Sequence, residues 1–395
     1  MKSKLQTNFA LVSLIVSLLV SSFFSTTTIA FARQKYMIGN TKWLFLLCKF
    51  SDDTAEPKSR EFFQALFQNE YPGLDHYWRE ASYNQISLDG SQALGWFTLP
   101  NPKSTYTKLT GTNEYFDFEK LANDCGNLAD SAVNFPDFFG IAIFVNGRAE
   151  GTIYGQTRSG VQLNFDSVSK NYPVIWIDNK ASYDLGIVIH EMAHGLGVKG
   201  HSYYYGLGRE PGFGNRWNGA LHCGWSARVA GFNCVPIHLI SASKYEAGFI
   251  PESRVITIAP NDPVAQITLE RLAQPQTSNP LMIKIPVIGS PDRYFTVEAR
   301  QKIGYDNTPS MPGDAVLIHD VWPSYYLDGP GQTDSRKYGI PGEEGSMWLP
   351  GDVFSGTAGI TVTIVSSSTT GFVVEVDNNS SFRPTNFIYL PNMSK

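Results

Sequence analysis

The sequence predicts an α+β protein in two parts, a region of mixed helices and strands followed by an all-β, sandwich-like region. Three observations carry that prediction. Hydrophobic residues make up 42% and charged residues 17% of the 395 residues, a globular balance with enough length for two cores. From residue 33 to residue 252, short apolar runs are interspersed with segments of helical periodicity. From Arg254 onward the pattern changes to short β-branched runs broken by Pro, Gly, Asn and Asp, as expected for stacked strands.

The elements follow in order. Residues 1–32 read as an export signal, with Lys2 and Lys4 ahead of an apolar stretch over 9–20. Ala30-Phe31-Ala32 supplies the small-x-small cleavage site, and the apolar stretch is shorter than the roughly 20 residues that span a bilayer. A mature, exported chain with no membrane association is therefore expected. Residues 42–50 form a continuous apolar run, read as a buried central strand. Helices are expected over 57–69, with Pro57 near the start, and over 74–83. Residues 86–99, broken by Gly90 and Gly95, read as a strand or hairpin. A helix over 114–133 and strands over 141–145, 160–165 and 174–177 follow. Residues 182–196 and 238–249 read as the last two helices of this part. Strands are then expected at 255–259, 265–269, 281–285, 294–299, 315–321, 360–365 and 371–376, within a β region spanning 253–377. Residues 378–395 form a polar tail.

Charge excludes one class of partner. The net charge is −5, from 36 acids against 31 bases, and becomes −7 (−5 − 2) once Lys2 and Lys4 leave with the signal. No long basic run is present, so nucleic-acid binding has no electrostatic basis. Export makes the four cysteines disulfide candidates in three possible pairings. Cys223 and Cys234 are close in sequence around a Gly-containing loop and form the favoured pair, leaving Cys48 with Cys125. The alternative for Cys48 is a buried free thiol in its apolar strand.

The chemistry is concentrated in His190-Glu191-Met192-Ala193-His194. On a helix, histidines four apart share one face and both imidazoles reach one ion. Glu191 is one step around, placed to take a proton from a metal-activated water and pass it to a leaving amine. Zinc suits imidazole donors and keeps a fourth position for water. Among seven histidines this pattern arises by chance in well under roughly 1% of such chains. Leu185, Val188, Ile189, Met192 and Leu196 add the apolar face of a buried helix, and Gly195 and Gly197 end it. His76, His238 and His319 read as structural or surface histidines.

At these residues the chain resembles a metzincin metallopeptidase, and specifically the immune-inhibitor-A and gametolysin-like group. The likeness extends to Leu46-Leu47-Cys48-Lys49-Phe50-Ser51-Asp52, to residues 74–83 with Tyr77 and Trp78, and to 88–96. It continues through Pro236-Ile237-His238-Leu239, Gly248-Phe249, Val297-Glu298-Ala299-Arg300 and residues 313–318, covering roughly 42–377. The resemblance implies a secreted zinc endopeptidase acting on protein or peptide substrates, with a catalytic domain over 33–252. It implies zinc ligands at His190, His194 and His201, and Glu191 as general base. The family spacing places the third ligand at Gly200, one residue before His201; His222 is the rival and Glu210 a carboxylate alternative. Leu221 stands about where the family's methionine turn has Met. A catalytically inactive zinc-binding recognition module is the alternative expectation. The hydroxyls of Tyr203, Tyr204 and Tyr205 are oxyanion-stabiliser candidates, with packing the plainer role. Residues 160–165 are a candidate edge strand for an extended substrate. Asp306, Asp314, Asp328 and Asp334 could offer oxygens to calcium, but no ordered loop pattern supports this, and turn residues are the preferred reading. Asn378, Asn379 and Asn392 lie in N-x-Ser/Thr sequons.

Overall fold

The computed structural model describes residues 38–149, 155–179, 183–198, 202–204, 237–307, 313–323, 333–337, 347–356 and 359–379. The expected signal, the tail beyond 379, and Cys223 and Cys234 lie outside the described residues. Strand-rich with few helices, the described chain has the α+β character read from its sequence.

The first part is built on β1 (Gly39–Asn40), β2 (Trp43–Lys49), α1 (Arg60–Ala65), α2 (Leu74–Ala81), β3 (Ile86–Ser87) and β4 (Gln92–Thr98). It continues with β5 (Thr107–Thr110), β6 (Asn113–Phe116), α3 (Phe118–Ala129), β7 (Gly140–Val145), β8 (Gly155–Phe165), β9 (Val168–Ile177) and α4 (Leu185–Gly195). A five-stranded sheet runs in the order β4-β2-β7-β9-β8. Its first four strands are parallel, and β8 closes the edge antiparallel to β9.

The apolar run of β2 is explained by burial on both sheet faces, as a central parallel strand requires. Trp43, Phe45 and Leu47 enter the cluster that includes α4, while Leu44, Leu46 and Cys48 enter the opposite cluster with α3. Ala142 and Phe144 of β7 join the first cluster, and Ile141, Ile143 and Val145 the second. Cys48 and Cys125 are joined across the second cluster by a disulfide with Cα atoms 6.2 Å apart, tying β2 to α3.

Several boundaries differ from the sequence reading. Residues 86–99 do not make a hairpin: β3 pairs with β1, whereas β4 joins the main sheet beside β2. The segment 114–133 is divided by Asp117, whose carboxylate caps α3 by accepting from the Lys120 amide. The residues before that cap form β6, which pairs with β5. Strands expected at 160–165 and 174–177 are the ends of one long hairpin, turned at Asp166 and Ser167 with φ of 52° and 60°.

The later elements are β10 (Ser202–Tyr204), α5 (Ser241–Glu246), β11 (Val255–Thr257), β12 (Ala265–Glu270), β13 (Met282–Val287), β14 (Ser290–Arg300) and β15 (Ala315–Pro323). They end with β16 (Thr333–Lys337), β17 (Val353–Ser355), β18 (Ile360–Ser368) and β19 (Gly371–Asn378). One sheet has the order β10-β16-β15-β14-β13-β11 and another the order β12-β19-β18-β17. Leu269, Val362 and Val374 of the second sheet share a core with Ile283, Val297 and Val316 of the first. Only six residues of the helix expected at 238–249 are helical.

A buried polar network joins α2 to these later residues. Arg300 donates to both oxygens of Asp306, at 2.7 and 2.6 Å, and to Glu298 at 3.0 Å, with all three side chains fully enclosed. Asp306 also accepts from the His238 amide at 3.0 Å. The His238 ring meets Glu80 at 2.7 Å, and burial holds that imidazole below its ordinary pKa, so its neutral Nε2–H donates. His238 and His319 are thus buried structural groups, as expected. Asp306 is committed to Arg300, and Asp314 accepts from the Lys302 amide, so both act within the fold. Asp328 and the Asp334 side chain lie outside the described residues.

Candidate metal centre and active site

The α4 helix begins where the Asp184 carboxylate accepts from the Gly186 amide. It then buries Ile187, Val188, Ile189, Met192 and Ala193 between the sheet and its neighbours. Gly195 lets the helix approach closely, because a Cβ there would stand 2.8 Å from the Trp43 ring. The same helix carries His190, Glu191 and His194.

His190 and His194 project from successive turns, and their Nε2 atoms lie 3.3 Å apart. At Nδ1, His194 faces the Val198 carbonyl at 2.9 Å. A carbonyl only accepts, so Nδ1 carries the hydrogen and the Nε2 lone pair points toward His190. Burial holds His194 below its ordinary pKa, favouring the neutral imidazole a metal ligand needs. Two nitrogens about 2.0–2.1 Å from a tetrahedral zinc ion stand roughly 3.3–3.4 Å apart. The observed separation matches, so this pair of donors fits zinc.

Glu191 lies beside them, with its Oε1 3.9 Å from His190 Nε2. Its residue is only 6% exposed, and burial pushes its carboxyl up to about 7 against the lowering effect of a Thr157 hydrogen bond. The Thr157 hydroxyl lies 2.9 Å from the Glu191 carbonyl oxygen and 2.5 Å from Oε2. Both contacts come from β8, where Gly155 and Thr157 face the helix two residues apart. A Cβ at Gly155 would stand 2.8 Å from Glu191 Oε1, so the strand approaches the carboxylate at a position without a side chain.

The structure therefore brings together three of the four residues singled out from the sequence. His201, its rival His222 and Glu210 lie outside the described residues, as do Tyr205 and Leu221 and the side chains of Tyr203 and Tyr204. Among the described residues no group of three or more His, Cys, Asp or Glu is gathered as a metal site. Nothing in the sequence alone marks Gly155 and Thr157 as neighbours of Glu191. Their only local signal was strand alternation, which does not reveal what a strand faces.

No protein family matches this chain, and no curated protein matches it.

Proposed function

We propose that this chain is a secreted zinc-dependent endopeptidase of metzincin type, with an α+β catalytic domain followed by a β-sandwich. The observation that carries the proposal is the 3.3 Å approach of the His190 and His194 Nε2 atoms beside an enclosed carboxyl. His190 and His194 would hold the ion, and His201 is proposed as the third ligand. A zinc ion bound there would supply an activated water and polarise the scissile carbonyl.

The remaining chemistry belongs to this chain's residues. Glu191 accepts a proton at the carboxylate oxygen facing the histidines and delivers it to the leaving amine. Its raised pKa, about 7, suits a group that alternates between accepting and donating near neutral pH. Strand β8 is at the edge of its sheet, bonded among the described strands only to β9. An extended substrate backbone added along that edge would lie beside α4, which supports a peptide as the substrate. The shared core of the two later sheets supports the sandwich reading of 253–377.

The test is Glu191→Gln in the purified mature protein. Peptide cleavage is expected to fall about 10²–10⁴-fold with zinc retained, the usual contribution of a positioned acid–base group. Full activity in that variant would remove the mechanism. Zinc binding without turnover in the unsubstituted protein would favour the recognition-module reading.

A further inference from the structure

We infer that Thr157 is a positioning residue that fixes the carboxylate of Glu191 through its hydroxyl, an inference that rests on the endopeptidase reading. Two independent observations support it. The hydroxyl is within hydrogen-bond distance of both the Glu191 backbone oxygen, at 2.9 Å, and its carboxylate Oε2, at 2.5 Å. One side chain thereby spans the root and tip of the glutamate. Gly155, two residues earlier on the same strand face, leaves the space in which Oε1 lies. The strand thus provides a hydroxyl against one oxygen and open backbone beside the other.

The two oxygens have different tasks in this arrangement. Oε2 is engaged by Thr157, and Oε1 is the oxygen nearer His190, at 3.9 Å from its Nε2. A free glutamate side chain rotates its carboxylate and spreads basicity over many directions, whereas a fixed one aims a single oxygen at the reacting water. Fixing that geometry matters because a displacement of about 1 Å costs up to about a hundredfold in rate. Valine keeps the shape of threonine without the hydroxyl, and serine keeps the hydroxyl without the methyl.

The experiment compares Thr157→Val and Thr157→Ser with the unsubstituted zinc-loaded protein. It measures kcat, KM, zinc content, thermal midpoint, and the Kd of a peptidyl hydroxamate against that of a peptidyl thiol. The hydroxamate needs a hydrogen bond to the base, whereas the thiol binds through the ion alone. For Thr157→Val, kcat is expected to fall about 10–100-fold with KM within about twofold and zinc content unchanged. Hydroxamate binding weakens by about tenfold or more while thiol binding holds, and Thr157→Ser restores both rate and hydroxamate affinity. Unchanged kcat and hydroxamate affinity in Thr157→Val overturn the inference while leaving the endopeptidase reading intact. Equal impairment in the serine variant also overturns it, because the methyl rather than the hydroxyl then matters. An unsubstituted protein that neither cleaves peptides nor binds either inhibitor removes the endopeptidase reading, and the inference with it.

Discussion

Glu191 is held between a strand and two histidines, and its surroundings explain both what it can do and what it tolerates. Burial raises its pKa, Thr157 engages one oxygen, and Gly155 leaves room for the other. Gly155→Ala should therefore displace the carboxylate, because the added Cβ meets Oε1 at 2.8 Å. A rate loss of about tenfold or more is expected, with zinc content preserved, measured by peptide turnover and metal analysis. The histidine pair and Glu191 were legible in the sequence because their relation is local, fixed by the 3.6-residue turn of one helix. Thr157 was not, since it lies 34 residues away and meets Glu191 only through packing of β8 on α4. Asn378 shows the same limit. Its sequon is intact, yet its amide is buried and donates to Ile258 and Pro286 carbonyls, so glycosylation at Asn378 of the folded chain is not expected.

At the scale of elements, helix α2 is fastened to the later strands through Glu80. That carboxylate accepts from His238, Gln274 and the Tyr305 amide. Burial alone would raise its pKa, but these hydrogen bonds bring it down to about 2. A depressed carboxylate stabilises the fold fully above its ordinary pKa, and that contribution is lost as pH falls from about 4.5 toward 2. Glu80→Ala should cost about 2–4 kcal/mol near neutral pH and flatten acid unfolding across that window, as denaturant titration at several pH values will show. Arg300→Ala should be costlier, about 3–5 kcal/mol, because it leaves Asp306 and Glu298 enclosed without their cation. None of this network was readable from the chain. His238, Glu80 and Asp306 are far apart in sequence, and only the packing of α2 on the β14–β15 region makes them partners. Strand identity was more accessible than strand pairing. The run at β2 announced a buried strand, but nothing local distinguished β4 as its parallel neighbour from a hairpin arm.

Across the whole molecule, stability is expected to depend on the cores on either face of the first sheet and on the bond joining β2 to α3. The Cys48–Cys125 bridge closes a separation of 77 residues, and replacing both cysteines by alanine should cost about 2–5 kcal/mol, measured by chemical unfolding of oxidised protein. The change from mixed periodicity to short β-branched runs was visible in the sequence because it is compositional. The pairing of β10, just after α4, with β16 was not, because it spans a long stretch of chain. His190, His194 and Glu191 are proposed to form the core of a zinc peptidase site. The decisive experiment is cleavage of a diverse peptide library by the mature protein, with and without a zinc chelator. Cuts within peptides that disappear with chelator and return with added zinc are the expected result. A folded, zinc-loaded protein that makes no cuts, or cuts that persist after complete zinc removal, would contradict it.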